Sequence, residues 1–301
     1  MKTHHFFIVL LLIMSVIPIK IVMADGDIGT KFTNQDSIGN TRHNLTQKQL
    51  SGGGPTGAIM TTFRNDYGEI CVYCHTPHGA NTNVSAPLWN RNIPATAYTT
   101  YDQLGTTSIN QAYNQPGAAS LSCLSCHDGQ QAVDAIINMP GSGKYSTSNA
   151  FLNSWVNTSG QQTFVHIGLN ENPAVGCLSC HTSGNLITGA GAVDFTVFAI
   201  GTDLTNDHPI GVTYPTTTGG GTDWNTPGGT KGTTKYFDDG NAKLDKNDIR
   251  LYDSGNGPAV ECATCHDPHG VPSGGAGSAF NKTFLRKTNT GSAVCLTCHV
   301  K

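Results

Sequence analysis

Ten cysteines in this 301-residue chain form five copies of one word, CxxCH, with none left over: Cys71/Cys74/His75, Cys123/Cys126/His127, Cys177/Cys180/His181, Cys262/Cys265/His266 and Cys295/Cys298/His299. CxxCH is the attachment signal for c-type haem. The two thiols add to the porphyrin vinyl groups as thioethers, and the adjacent histidine is delivered to the iron as the proximal ligand. Five copies imply five covalently fixed haems c. Zinc ribbons and disulfides also use CxxC pairs, but neither explains a histidine after every pair. The motifs run from residue 71 to the last few positions, leaving about 55 residues per haem, too few for an independent apolar core around each. The porphyrins must be the core. The expected fold is mostly irregular coil with short α or 3-10 helical turns at the motifs and few short strands, a single haem-packed domain over 25–301.

Local patterns fill in that picture. Ser51 to Gly57, Tyr214 to Thr234 and Val271 to Ala279 are glycine-rich and read as surface loops. Gln130 to Asn138 has the spacing of a short helix, and Val193 to Ile200 the β-branched and aromatic content of a strand. The acidic segment Asp238 to Asp253 lacks the glycine at the sixth position that a calcium loop needs, so it reads as a solvated acidic loop.

The histidine count constrains the irons. His4 and His5 precede an apolar run, and of the other ten histidines five lie in CxxCH and five are spare: His43, His78, His166, His208 and His269. Methionine, the competing sixth ligand, occurs after residue 24 only as Met60 and Met139. Five spare imidazoles for five irons predict bis-histidine, low-spin, closed haems, which carry electrons rather than bind substrate. No catalytic residue is nominated.

Two motifs are doubled, CVYCHTPHG at 71–79 and CATCHDPHG at 262–270, while the others have the plain form CLSCH or CLTCH. His78 and His269 follow their proximal histidines too closely to reach the same iron from the opposite face. Each must serve another haem, with Pro77 and Pro268 ending the helical turn between. The simplest pairing gives His78 to the haem on Cys123/Cys126 and His269 to the haem on Cys295/Cys298. The haem on Cys177/Cys180 then lies between two pairs, and His166 and His208 supply two of the remaining irons.

Residues 1–24 read as a signal peptide: Lys2, an apolar run from Phe6 to Ile17, then Val22-Met23-Ala24 before a cut ahead of Asp25. The mature protein is expected to be exported, with no membrane span. Loss of Lys2 and Lys20 from the 17 basic residues leaves 15 against 20 acidic ones, a net charge of −5. That balance disfavours nucleic acid as a partner. His43 lies in an arm 28 residues ahead of Cys71. Either it folds back onto its own chain, or it ligates the haem of a neighbouring copy in a head-to-tail contact that generates a filament when it does not close.

The doubled motifs, together with SCLSCHDG at 122–129, NDHPIGVTYP at 206–215 and the terminal FLRKTNTGSAVCLTCHVK, resemble the multihaem cytochromes c of metal- and mineral-respiring bacteria. Among these the chain is similar to the extracellular cytochrome filaments often called nanowires. The resemblance implies stacked bis-histidine haems, a histidine near the N-terminus that reaches a neighbouring subunit, and partners that are other copies, other multihaem cytochromes and an extracellular metal oxide or other acceptor. Long-range electron conduction by a polymer is the expected function. A monomeric periplasmic electron shuttle feeding a reductase is the alternative, and a multihaem reductase with one open haem is a third reading.

Overall fold

The computed structural model describes residues 37–46, 63–93, 95–107, 109–139, 144–145, 152–157, 160, 162–169, 176–179, 181–182, 195–271 and 283–300. The expected signal peptide, Met60, Cys180, the loop at 51–57 and most of that at 271–279 lie outside these residues. The fold is largely irregular coil. Helical turns form at the motifs, as expected: 3-10 turns at Cys71–Tyr73 and Cys177–Ser179, and helices α1 (Ala118–His127), α2 (Cys262–Cys265) and α3 (Cys295–Cys298). Such a turn places both cysteines on one side, with the histidine at its end. In α2 and α3 the histidine is already extended, His266 at ψ 144° and His299 at ψ 138°. No helix among the described residues is long and apolar enough to cross a membrane.

Strands β1 (Asn138–Met139) and β2 (Lys144–Tyr145) form a small hairpin. The larger sheet has β3 (Val212–Thr213), β4 (Gly229–Lys231), β5 (Thr234–Phe237), β6 (Ile249–Asp253) and β7 (Pro258–Val260), in the spatial order β3-β7-β6-β5-β4, all antiparallel. Register is set by Val212 opposite Val260, Phe237 opposite Ile249 and Lys231 opposite Thr234. The last pair closes a two-residue hairpin in which Gly232 takes φ 59°, the left-handed geometry such a turn needs. β7 runs through Glu261 directly into α2, so the sheet fixes the fourth motif.

Three expectations fail here for local reasons. Residues 130–137 form turns, not a helix, because Asp134, Ala135, Ile136 and Ile137 are consecutively buried, which one helical face cannot achieve. The described part of 193–200 is a 3-10 turn, Thr196–Phe198, with Val197 74 % exposed. The glycine-rich stretch 214–234 contains β4 and the first residue of β5. Gly229 is required there because a Cβ would lie 2.1 Å from the Tyr236 ring across the hairpin.

The apolar core is divided, as the residue count per motif requires. Tyr67, Val72, Tyr73, Ile136 and Met139 pack beside the first motif. Tyr98, Leu124 and Leu204 surround the second, and Tyr214, Phe237, Ile249 and Leu251 lie under the sheet against Val294 and Cys298 of the fifth. The acidic loop is only partly solvated. Asp239 is exposed, whereas Asp248 is fully buried and accepts the backbone N–H of Asp239 and Asp245. The carboxylates of Asp238, Asp239 and Asp248 lie within 4.8 Å of one another.

Candidate haem sites

Short segments, here called straps, cross the motifs, and at the first, second and fourth a later segment bonds both the motif backbone and the histidine ring. At the first motif, Pro87 O accepts from His75 Nδ1 at 2.7 Å, Thr76 N donates to Leu88 O, and Asn90 N donates to Cys74 O. At the fourth, Thr283 O accepts from His266 Nδ1 at 2.5 Å, Asp267 N donates to Phe284 O, and Arg286 N donates to Cys265 O. The two straps correspond residue by residue. Leu88 at φ 52° and Phe284 at φ 59° both adopt the left-handed conformation that side chains with a Cβ avoid. A single segment serves the second and third motifs: Phe198 O accepts from His127 Nδ1 at 2.7 Å, and Phe195 N donates to His181 O. Phe195 also stacks on His181, centroids 3.8 Å apart. Asn225 N bonds Cys298 O at the fifth motif.

The straps fix chemistry as well as position. A carbonyl at Nδ1 puts the imidazole proton there and leaves the lone pair on Nε2, the nitrogen that binds a metal. Burial pushes the pKa values of His43, His75, His127 and His266 down, His43 to about 4, which favours the neutral ring that metal ligation requires.

Two imidazoles on opposite faces of one metal, at about 2.0–2.1 Å per bond, have ring centres roughly 6.3 Å apart. Two pairs meet that requirement. His43 and His127 lie 6.1 Å apart with planes at 82°, and His75 and His269 lie 6.1 Å apart with planes at 12°. In each pair both Nδ1 atoms are engaged elsewhere, His43 with Pro268 O at 3.0 Å and His269 with Asp267 Oδ1 at 3.2 Å. The residues therefore fit bis-histidine haem at the first and second motifs.

This pairing corrects the one expected from sequence order. His43, not His78, faces the second motif, and His269 faces the first motif, not the fifth. His269 is turned outward by its own doubled motif, where Asp267 Oδ1 accepts its backbone N–H and Gly270 takes φ 83°. The arm carrying His43 folds back onto its own chain. Thr41 is fully buried, Leu45 packs beside the first-motif cluster, and the His43 ring stacks on Phe284 at 4.7 Å. His78 and His208 are exposed. Leu178 of the third motif and Asp207, next to His208, line one cleft of about 510 Å³.

Neighbouring thiols order the motifs in space. Cys74 lies near Cys126, Cys123 near Cys262, and Cys265 near Cys295 and Cys298. The order is first, second, fourth, fifth, with the third joined to the second through the shared strap, not set between two pairs. Glu261 locks the central step. Its carboxylate accepts from Gly117 N at the start of α1 and from Ser120 Oγ, and Ser120 Oγ accepts Cys262 N at 2.8 Å.

Sequence reasoning nominated candidate ligands but missed the straps, Glu261 and the buried Arg91, whose guanidinium donates to Ser125 O, Ala132 O and Val133 O behind the second motif. The spacing to the straps differs, 12 residues from His75 to Pro87 and 17 from His266 to Thr283, and the feature the two share in sequence is an apolar pair, Leu88-Trp89 and Phe284-Leu285.

The family model described as a doubled CXXCH motif matches residues 257–301, which hold the fourth motif, its strap and the fifth motif. No curated protein matches the chain. The doubled CxxCH motif indicates covalently bound haem c and is a form used by multihaem c-type cytochromes of electron transfer.

Proposed function

We propose that the chain is an exported cytochrome holding five haems c, all closed by two histidines, and that it conducts electrons along the order first, second, fourth, fifth. The observation that carries this reading is the pair of imidazole–imidazole separations of 6.1 Å, matched to axial ligation at two motifs. The haems, when bound, supply the one-electron chemistry. The chain's part is positioning: straps hold the proximal rings in one tautomer, His43 and His269 would supply the second imidazole at the second and first motifs, and Glu261 holds the second motif against the fourth. Rigid, neutral ligands limit the rearrangement that accompanies a change of charge at the metal.

The resemblance supports assembly into an extracellular filament that delivers electrons to other multihaem cytochromes or to an external acceptor. A discrete periplasmic shuttle is the second reading, favoured by the return of the His43 arm to its own chain. Two measurements test the proposal. The oxidised holoprotein, with five haems by mass, is expected to be wholly low-spin and unchanged by nitrite or hydroxylamine; a high-spin fraction or a ligand-induced spectral change makes it a reductase instead. Electron microscopy of the secreted haem-staining fraction separates filament from shuttle.

A further inference from the structure

We propose that Asp134 is a positioning residue that lowers the reduction potential of the haem ligated by His166; this rests on the reading of His166 as an axial ligand. The His166 side chain is 10 % exposed and that of Asp134 is 0 % exposed, with Nδ1 2.7 Å from Oδ2. The same carboxylate oxygen accepts Asn65 N at 2.6 Å, and Val133 N donates to Ile167 O, so both partners sit on bonded backbone. Two buried atoms remain without a hydrogen-bond partner among the described residues: His166 Nε2, the metal-binding nitrogen, and Asp134 Oδ1.

This arrangement differs from those of the histidines described above. The Nδ1 atoms of His43, His75, His127 and His266 meet backbone carbonyls. His269 does meet a carboxylate, but its side chain is 55 % exposed and Asp267 shares its charge with Arg286 at 3.1 Å. A carboxylate at Nδ1 draws the ring proton toward itself and makes Nε2 a stronger donor, which favours the ferric state. A buried carboxylate does this more strongly than a carbonyl dipole.

The test uses the full holoprotein and spectroelectrochemical titration. His166→Ala identifies the haem concerned, because one low-spin haem becomes high-spin. Asp134→Asn keeps an acceptor oxygen for Asn65 N and the ring while removing the charge. It is expected to keep every haem low-spin and to favour reduction of that same haem about tenfold, about 59 mV for one electron. Asn65→Ala, which disturbs the same pocket without removing charge, is expected to change that equilibrium less than about twofold. In the His166→Ala background, Asp134→Asn should add no shift at that haem. If Asp134→Asn moves no potential, or moves a different haem, the role of Asp134 is wrong while the ligand reading stands. If His166→Ala leaves all haems low-spin, the ligand reading falls and takes the proposal with it.

Discussion

Glu261→Ala should separate the second and fourth motifs, and its cost follows from the contacts. Glu261 is 3 % exposed, and its carboxylate accepts from Gly117 N at 3.0 Å and from Ser120 Oγ. Gly117 is held to this residue type, because a Cβ would lie 2.7 Å from Glu261 Oε1. A hydrogen bond to a charged group contributes roughly 1.5–3 kcal/mol, and a buried donor left unmet costs about 1–3 kcal/mol. Burial of the carboxylate, which raises its pKa, offsets part of this. The expected loss is about 3 kcal/mol for Glu261→Ala and about 1 kcal/mol or less for Glu261→Gln, which keeps an acceptor oxygen. Because the folded-state pKa is raised, the folded protein holds this proton more tightly than the unfolded chain. The Glu261 contribution is therefore greatest below the ordinary glutamate pKa and declines as pH rises through the raised value. Denaturant unfolding of the oxidised holoprotein at several pH values measures both effects. The wild type should lose stability relative to Glu261→Gln across that window. Equal losses for the two variants, or a wild-type advantage that grows with pH, would refute the clamp.

Other outcomes follow from the same geometry. His43→Ala should turn one haem high-spin in dilute monomeric protein; retention of a fully low-spin spectrum would show that His43 is not a ligand in cis. Electron paramagnetic resonance of the ferric protein should show a highly anisotropic low-spin signal from the 82° pair and a rhombic one from the 12° pair, lost selectively in His43→Ala and His269→Ala respectively. Gly211→Ala should destabilise by about 3 kcal/mol or more, since φ is 72° and a Cβ would lie 2.2 Å from Asn114 O. Gly232→Ala, at φ 59° with nothing within 4 Å, should cost only about 1 kcal/mol, and thermal unfolding of both variants checks the difference.

Chemistry written into contiguous residues was legible in the sequence, and contacts made by ordinary backbone were not. CxxCH is contiguous because two thiols and one imidazole must meet a single porphyrin, so the candidate attachment sites and the short helical turns at them could be read, and the spare histidines could be counted. The partner of each spare histidine depends on which motifs touch, and here α1 meets α2 through Glu261 and Ser120, residues unremarkable in sequence. The straps act through carbonyls of Pro87, Phe198 and Thr283, which any residue could supply. Arg91 belongs to no motif, yet it is fully buried because three carbonyls converge on its guanidinium. Gly229 reads as loop punctuation, yet it is a strand residue whose missing side chain makes room for Tyr236.

The straps also tie colour to chain closure. The carbonyl that holds His75 lies 12 positions downstream, that of His266 lies 17 downstream, and that of His127 lies 71 downstream. Once haem is attached, each proximal ring therefore reports when a loop of different length has shut. During refolding the short loops should close before the long one, so of these three proximal rings His127 would be the last to be held by its carbonyl. The prosthetic groups thereby become internal clocks for the assembly of the polypeptide that holds them.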